Sequence, residues 1–235
     1  MLQRIELFLL FAPVLLVSMV AHEYAHGYAA LKQGDTTAQQ LGRLTWNPIR
    51  HIDPVMTVIL PLVTYFGGGL FGQPLIFGGA KPVPVDPRNY RSYRRGDIIV
   101  SLAGVITNAL IAVGCLILLP ATGALGRAVP ALEPTLGIVQ AMLAIGVWLN
   151  AVLIAFNLLP IPPLDGSHVF KYLLPRPLAE RYVQFGRFGL LALIILLNWG
   201  DRLLAAWMAP VLGAAIAGLT MVNDSRLPSA AQWLQ

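Results

Sequence analysis

Two histidines and a glutamate stand close together near the start of the chain, in the stretch MVAHEYAHGYA, residues 19–29. His22 and His26 are four positions apart, so on an α-helix they lie on one face and their imidazole nitrogens can bind one metal ion. Glu23 then projects beside them, toward a metal-bound water. Zinc lowers the pKa of bound water to roughly 7, and a neighbouring carboxylate can take the water's proton and pass it to a leaving amine. The spacing predicts a hydrolytic zinc site in which Glu23 is first the base and then the acid.

The position of this motif argues against a chance match. It directly follows residues 5–20, which form an apolar run whose one charged residue is Glu6. Ionisable groups inside a membrane helix cost several kcal/mol unless they are paired, and they usually mark function. The alternative, histidines that are merely hydrogen-bonded in a helix bundle, is therefore disfavoured.

A catalytic zinc site generally needs a third protein ligand and keeps a fourth position for water. The candidates are His51, Asp53, Asp165 and His168. The stretch FNLLPIPPLDGSHV, residues 156–169, ends a hydrophobic run with conformationally rigid prolines, and Asp165 follows them. Two neutral imidazoles, one carboxylate and a hydroxide leave zinc without net charge, whereas a third imidazole would leave a positive charge in a low dielectric. Charge therefore favours Asp165 over His168, which we expect to support the site or the local structure.

The composition predicts an integral membrane protein with an all-α polytopic fold. Of the 235 residues, 57% are hydrophobic and 11% are charged, far from the values of a soluble domain. The single cysteine, Cys115, excludes a disulfide framework and a thiolate metal site. The net charge of +5 lies in short loops, so we expect no nucleic-acid partner. Apolar runs predict five transmembrane helices, at about 5–31, 98–119, 136–159, 183–199 and 203–222.

A sixth apolar stretch, about 55–72, carries Pro61 and ends in three glycines, so we predict a re-entrant or half-membrane segment there. Lysine and arginine accumulate on the cytoplasmic side of membranes. If 55–72 returns to its own side, thirteen of the sixteen basic residues share one side, and only Arg4, Arg127 and Arg202 remain on the other. If 55–72 crosses the membrane instead, the sixteen basic residues divide eleven to five between the two sides. The charge count predicts an extracytoplasmic N-terminus, a cytoplasmic C-terminus and a metal motif toward the cytoplasm.

These residues together resemble the site-2 protease family of intramembrane metalloproteases. HEYAH matches the family's HExxH, and NLLPIPPLDG, residues 157–166, matches its NxxPxPxLDG pattern. RHIDPVMTVILP, residues 50–61, and GGAKPVPVDPRNYR, residues 78–91, resemble the segments between the two metal motifs in compact members. In SLAGVITNAL, residues 101–110, Val105 stands where many relatives have proline.

The resemblance implies one zinc ion per chain, bound by His22, His26 and Asp165, with Glu23 activating water. It also implies that Asn157, and by position Asn108, lie near the substrate. Its expected activity is an endopeptidase that cuts transmembrane helices of protein substrates within the bilayer.

We expect a single membrane-embedded domain over 1–235 in the plasma membrane, without PDZ or CBS domains. Its metal motifs fall within about 18–170, and a helical pair follows at 183–222. Short strands are also expected, including the strand-like PVPVD at 82–86, which could pair with an unwound substrate. The rival functions are a metal-binding transporter, for which no internal repeat is found, and an inert scaffold of the same fold.

Overall fold

The structure is a computed structural model that describes residues 2–66, 78–231 and 233. Ten α-helices cover most of the described chain. In chain order they are α1 Leu2–Gln33, α2 Thr37–Gln40, α3 Leu60–Phe66, α4 Tyr93–Ala128, α5 Glu133–Asn157, α6 Asp165–Phe170, α7 Arg176–Phe185, α8 Gly189–Trp199, α9 Asp201–Met221 and α10 Pro228–Ala231.

Within the described ranges, five helical segments are long and apolar enough to cross a membrane, as the sequence predicts. They are Ile5–Gln33, Tyr93–Ala128, Pro130–Asn157, Arg176–Trp199 and Asp201–Met221. Large apolar side chains on them stay exposed, among them Leu110 and Leu190. Such exposure is costly in water and favourable in lipid, so the surface of these helices fits a bilayer.

Helix α4 is longer than its predicted apolar part, 98–119, and extends at both ends. The polar residues YRRGD at its N-terminus continue the helix beyond the hydrocarbon-compatible stretch. Val105 lies inside this helix without a break. The polar extension matters because it brings Asp97 into the same rigid element as Val100 and Gly104.

The sixth apolar stretch begins with a capped helical turn. Asp53 accepts hydrogen bonds from the backbone N–H groups of Val55 and Met56, at 2.9 and 2.8 Å. A π-helical turn, Pro54–Ile59, follows and leads into α3. The predicted segment 55–72 continues into residues 67–77, which lie outside the described residues, so re-entry stays a prediction.

The predicted short strands are not confirmed, because no residue in the described ranges is assigned to a strand. Residues 82–86 instead form an irregular segment held by side chains. The Asp86 N–H donates to Asp35 at 2.7 Å, and Arg43 donates to the Lys81 carbonyl at 3.0 Å. Prolines at two of these five positions have no N–H to give to a ladder, which is the physical reason for the difference.

The chain divides into two compact units. The first comprises Met1–Ser18, Ile106–Phe156 and Ala205–Gln235. An apolar cluster of Leu119, Val147, Ala151 and Ala215 forms its core. The buried Gln140 side chain donates to the Leu119 and Ser225 carbonyls and accepts from the Leu227 N–H, which fixes the C-terminal segment in this unit.

The second unit comprises Met19–Val105 and Asn157–Leu204. The end of α1, the start of α4 and the segment between them pack around Ala30, Tyr90 and Val100. This unit contains the predicted metal-binding residues and Glu23, so the candidate site can be described within it.

Candidate metal centre

Helix α1 brings the two histidines together. The His22 and His26 rings are 4.6 Å apart between centroids and meet nearly edge to face, at 77°. Their Nε2 atoms are 2.9 Å apart. One helical turn therefore aims both ring nitrogens at the same point, as the spacing predicts.

Asp165, which lies in the second chain segment of this unit, completes the cluster. Its Oδ2 atom is 3.2 Å from His22 Nε2 and 3.4 Å from His26 Nε2. Zinc to nitrogen and oxygen bonds of about 2.0–2.1 Å at tetrahedral angles place ligand atoms roughly 3.3 Å apart, close to these separations. Among the described residues these three form the one group of at least three metal-ligating side chains that meet.

The proline-rich motif explains how Asp165 reaches this position. Leu164 has an extended backbone, and Asp165 is the first residue of α6. Gly166 packs directly against the Leu158 carbonyl, where any side chain would collide with the backbone. The glycine after the aspartate thus lets the chain fold back on itself and points Asp165 at the histidines.

A hydrogen bond on the far side of the His26 ring prepares the cluster for a metal. His26 Nδ1 lies 2.7 Å from the Val100 carbonyl, which accepts only, so Nδ1 carries the proton and Nε2 keeps its lone pair. Asp165 Oδ2 is buried and has no hydrogen-bond donor among the described residues. An unsatisfied buried oxygen beside two imidazole nitrogens fits a cation better than it fits a hydrogen-bond network.

The charge of the site also fits a cation. Burial by itself would raise the pKa of the Asp165 carboxyl, but the neighbouring His22 and His26 rings outweigh it and hold that pKa well below its usual range. Asp165 is therefore a carboxylate at neutral pH. Two imidazoles and one carboxylate form a donor set that zinc accepts with one position left open.

Helix α4 leaves room for the His22 ring at Gly104. A Cβ atom at this position would lie 2.5 Å from the ring's Cε1 and Nε2 atoms. Only glycine lets the two helices approach this closely. Together with the Val100 carbonyl, this gives α4 a contact to each histidine.

Glu23 lies beside the cluster and is partly buried. Its Oε2 atom accepts a hydrogen bond from the Val83 backbone N–H at 2.7 Å. The segment between α3 and α4 thus fixes the carboxylate that is the predicted base. Sequence reasoning did not find this contact, because nothing in the residue types signals a backbone donor.

A cavity of about 390 Å³ opens onto the cluster. Its wall includes Glu23, the three clustered side chains and Asn157, and Val83 and Val85 line another part. Asn157 thus lies on the wall of this cavity, and its contact with a substrate stays a prediction. Asn108 belongs to the other unit, where it is fully buried, and neither polar atom of its side chain has a partner among the described residues.

The remaining candidates for the third ligand take other places. His51 is buried and its Nε2 contacts the Thr45 carbonyl at 2.8 Å, while Asp53 caps the turn described above. His168 lies one turn after Asp165, but its Nδ1 is 3.3 Å from Asp97 Oδ1.

Sequence reasoning missed Asp97, a buried acid in a membrane helix. Its place directly before the predicted apolar run, 98–119, was the available signal.

Comparisons with known proteins agree with this chemistry. A sequence model of peptidase family M50 matches residues 131–197. A candidate zinc metalloprotease of Bacillus subtilis, YwhC, is 37% identical over 182 residues, covering 77% of each chain. A candidate zinc metalloprotease of Mycolicibacterium smegmatis, Rip2, is 30% identical over 83% of this chain and 69% of its own length. No solved structure gives a significant match. The chain belongs to peptidase family M50, the site-2 protease family, and is a membrane-embedded zinc metalloendopeptidase.

Proposed function

We propose that this protein is an intramembrane endopeptidase that hydrolyses peptide bonds of transmembrane helices, with one zinc ion held by His22, His26 and Asp165. The observation that carries the proposal is the convergence of these three ligand atoms within 4.8 Å on the wall of the cavity that also holds Glu23. When bound, zinc would acidify water and polarise the substrate carbonyl. The protein's own residues do the remaining work.

Glu23 moves the protons in this scheme. Its Oε2 is fixed by the Val83 N–H, and the other carboxylate oxygen is available to take a proton from the attacking water. The same carboxyl then gives the proton to the leaving amine nitrogen as the carbon–nitrogen bond breaks. Asn157 offers an amide on the cavity wall that can bind the substrate backbone.

The substrate helix must unwind, since a peptide bond within a helix is hidden in the helix's own hydrogen bonds. We propose that residues 82–86 pair with the unwound segment. Val83 and Val85 line the cavity, and among the described residues Val85 has no partner for its backbone N–H or carbonyl. Adding a strand to such an edge supplies main-chain hydrogen bonds without demanding a particular side chain.

Val85 provides a direct test of this edge. Val85→Pro removes the N–H and keeps an apolar side chain, whereas Val85→Ala keeps the N–H and trims the side chain. Pairing predicts that the proline variant loses about tenfold in kcat/KM, the cost of one hydrogen bond, and that the alanine variant stays near wild type. Equal activity of the two variants would contradict edge pairing.

The central experiment is cleavage of a model transmembrane substrate by the wild type and by Glu23→Gln, with zinc measured in both. We expect one zinc per chain in each protein, and cleavage by the wild type only. Full cleavage by Glu23→Gln would refute the role of Glu23. Wild-type protein without zinc would favour the inert scaffold.

The distribution of lysine and arginine also supports a proposal for the orientation of the protein in the membrane. We propose a multi-pass protein of the plasma membrane, with its N-terminus outside and its C-terminus in the cytoplasm, acting as one catalytic domain over 1–235. The basic residues of 34–92 and of the connection to α7 then share the cytoplasmic side, where water can reach the cavity.

A further inference from the structure

A buried acid organises the cavity wall beside the metal cluster. The Asp97 side chain, 4% exposed, accepts from Lys171 Nζ at 2.6 Å, from the Tyr172 hydroxyl at 2.8 Å and from His168 Nδ1 at 3.3 Å. Burial and the Asp97 carboxylate both raise the pKa of the Tyr172 phenol, so that hydroxyl stays a donor. Three donors satisfy the carboxylate, which leaves Asp97 with little capacity to bind anything else.

The His168 ring is the exposed member of this group. Its side chain is 45% exposed, and it lines the cavity together with Glu23 and Asn157. Because the ring's Nδ1 faces buried Asp97, the exposed side is the one that carries Nε2. A carboxylate only accepts, so Nδ1 is the protonated nitrogen and the ring is held in one orientation.

His168 also lies close to the cluster. It is three residues after Asp165 on α6, and side chains three apart on a helix are neighbours on one face. Glu23 already accepts from Val83, and the clustered histidines and aspartate face one another. The Nε2 atom of His168 is thus a polar atom of this wall that has no partner among the described residues.

We propose that His168 contacts the substrate, binding the peptide backbone next to the scissile bond through Nε2, and that Asp97, backed by Lys171 and Tyr172, is the residue that positions it. The proposal rests on the proposed function, in that it needs a peptide in this cavity. It adds a fixed hydrogen-bonding group to the wall that carries Asp165.

Three substitutions separate this role from a purely structural one. An asparagine amide ends where Nδ1 lies and can still contact Asp97, whereas a glutamine amide ends where Nε2 lies and can still reach the substrate. We expect His168→Asn and His168→Ala to lose about tenfold in kcat/KM, the cost of a hydrogen bond. His168→Gln should retain most of the activity.

Zinc content and thermal stability should stay at wild-type values in all three variants. The opposite order, with His168→Asn active and His168→Gln impaired, would mean that the ring serves only Asp97 and would overturn the proposal. Wild-type activity in all three would overturn it as well.

The measurement should use both a transmembrane substrate and a soluble peptide. If the wild type cuts the peptide but no transmembrane helix, the proposed function fails, yet the order of the His168 variants on the peptide still tests this inference.

Discussion

Each histidine of the cluster depends on a contact from α4. The Val100 carbonyl fixes the protonation of His26, and Gly104 provides the space in which the His22 ring sits. Neither residue carries a group that would bind metal. Both nonetheless set where the Nε2 atoms point, and a ligand displaced by a fraction of an ångström loses metal affinity.

Gly104→Ala should therefore displace His22 and lower the affinity for zinc. The added Cβ would lie 2.5 Å from the ring, too close for any carbon contact, so the ring must move. We expect a loss of zinc affinity of about 10-fold to 100-fold, measured by competition with a chelator, with a matching loss of cleavage.

Gly114→Ala is the matched control for this substitution. It lies on the same helix with no atom within 4 Å of the added Cβ. Alanine there should keep zinc affinity and raise helix stability by up to about 1 kcal/mol. If Gly104→Ala bound zinc as tightly as Gly114→Ala does, the proposed fit between Gly104 and His22 would be wrong.

At the scale of elements, Asp97 joins α4 to α6. Lys171 and Tyr172 follow α6 directly, and Asp165 begins it, so the contacts of Asp97 with Lys171 and Tyr172 hold the short helix that presents the aspartate. A six-residue helix has little stability of its own and takes its position from such contacts.

Asp97→Asn should loosen α6 and weaken zinc binding. Removing the charge leaves Lys171, which is mostly buried, without its counter-ion, and breaking a buried pair costs about 3–5 kcal/mol. We expect a lower unfolding temperature and a lower zinc affinity, whereas the same change at exposed Asp224 should alter neither. An Asp97→Asn protein with wild-type stability and zinc affinity would refute the coupling.

A second tie joins the end of α1 to the segment before α4. Asp35 accepts from the backbone N–H groups of Thr37 and Asp86, at 3.1 and 2.7 Å, and from Asn89 Nδ2 at 2.9 Å. Burial raises the pKa of the Asp35 carboxyl, but a hydrogen bond from the Thr37 hydroxyl together with these three outweighs it and lowers that pKa below the ordinary value of 3.8.

The sign of the resulting pH dependence follows from this shift. Because the folded pKa is the lower one, the unfolded chain binds the proton more readily, and the stabilisation is complete above 3.8 and fades as pH falls through the folded value. Asp35→Asn should therefore be less stable than wild type at pH 7, and the difference should shrink as pH falls below 3.8.

Melting of metal-free protein between these pH values measures the effect without zinc release, with Asp224→Asn as the control. A difference in melting temperature that stays constant across this range would contradict the role of Asp35.

The spans and the metal motifs could be predicted because they depend on local patterns. Apolar runs give the five helices, and the four-residue spacing gives the histidine pair. The residues that hold the metal-binding side chains in place could not be predicted. Val100 acts through its backbone carbonyl, Gly104 through its lack of a side chain, and Val83 through its backbone N–H. These groups occur in every protein chain, so only the fold shows which of them meet the site.

The strand prediction is not confirmed at residues 82–86 for a related reason. Alternating valines and prolines at 82–86 favour an extended backbone, and the sequence does not show whether another strand lies beside it. Here hydrogen bonds to Glu23 and Asp35 hold the segment in place of a ladder. The extended segment is thus tied to side chains of α1 and of the turn that follows it.

At the scale of the whole molecule, the orientation in the membrane depends on the stretch that begins at Pro54. Its described part, the π-helical turn and α3, is about 20 Å long at the α-helical rise, and residues 67–77 lie outside the described residues. With five crossing helices the termini lie on opposite sides, and thirteen basic residues gather in the cytoplasm only if this stretch returns.

A reporter fused after Gly79 tests this topology. We expect it to read cytoplasmic, like a reporter fused after Pro175, because Lys81 to Arg91 carry several positive charges close to the membrane. A reporter fused after Pro130, between α4 and α5, should read extracytoplasmic and is the matched control. An extracytoplasmic signal after Gly79 would mean that the stretch crosses the bilayer. The end of α1 that carries His22 and His26 would then lie on the opposite side from the connection that carries Asp165, because α4 and α5 bring the chain back to the side of Val83. That is incompatible with the contacts of Asp165 to both histidines.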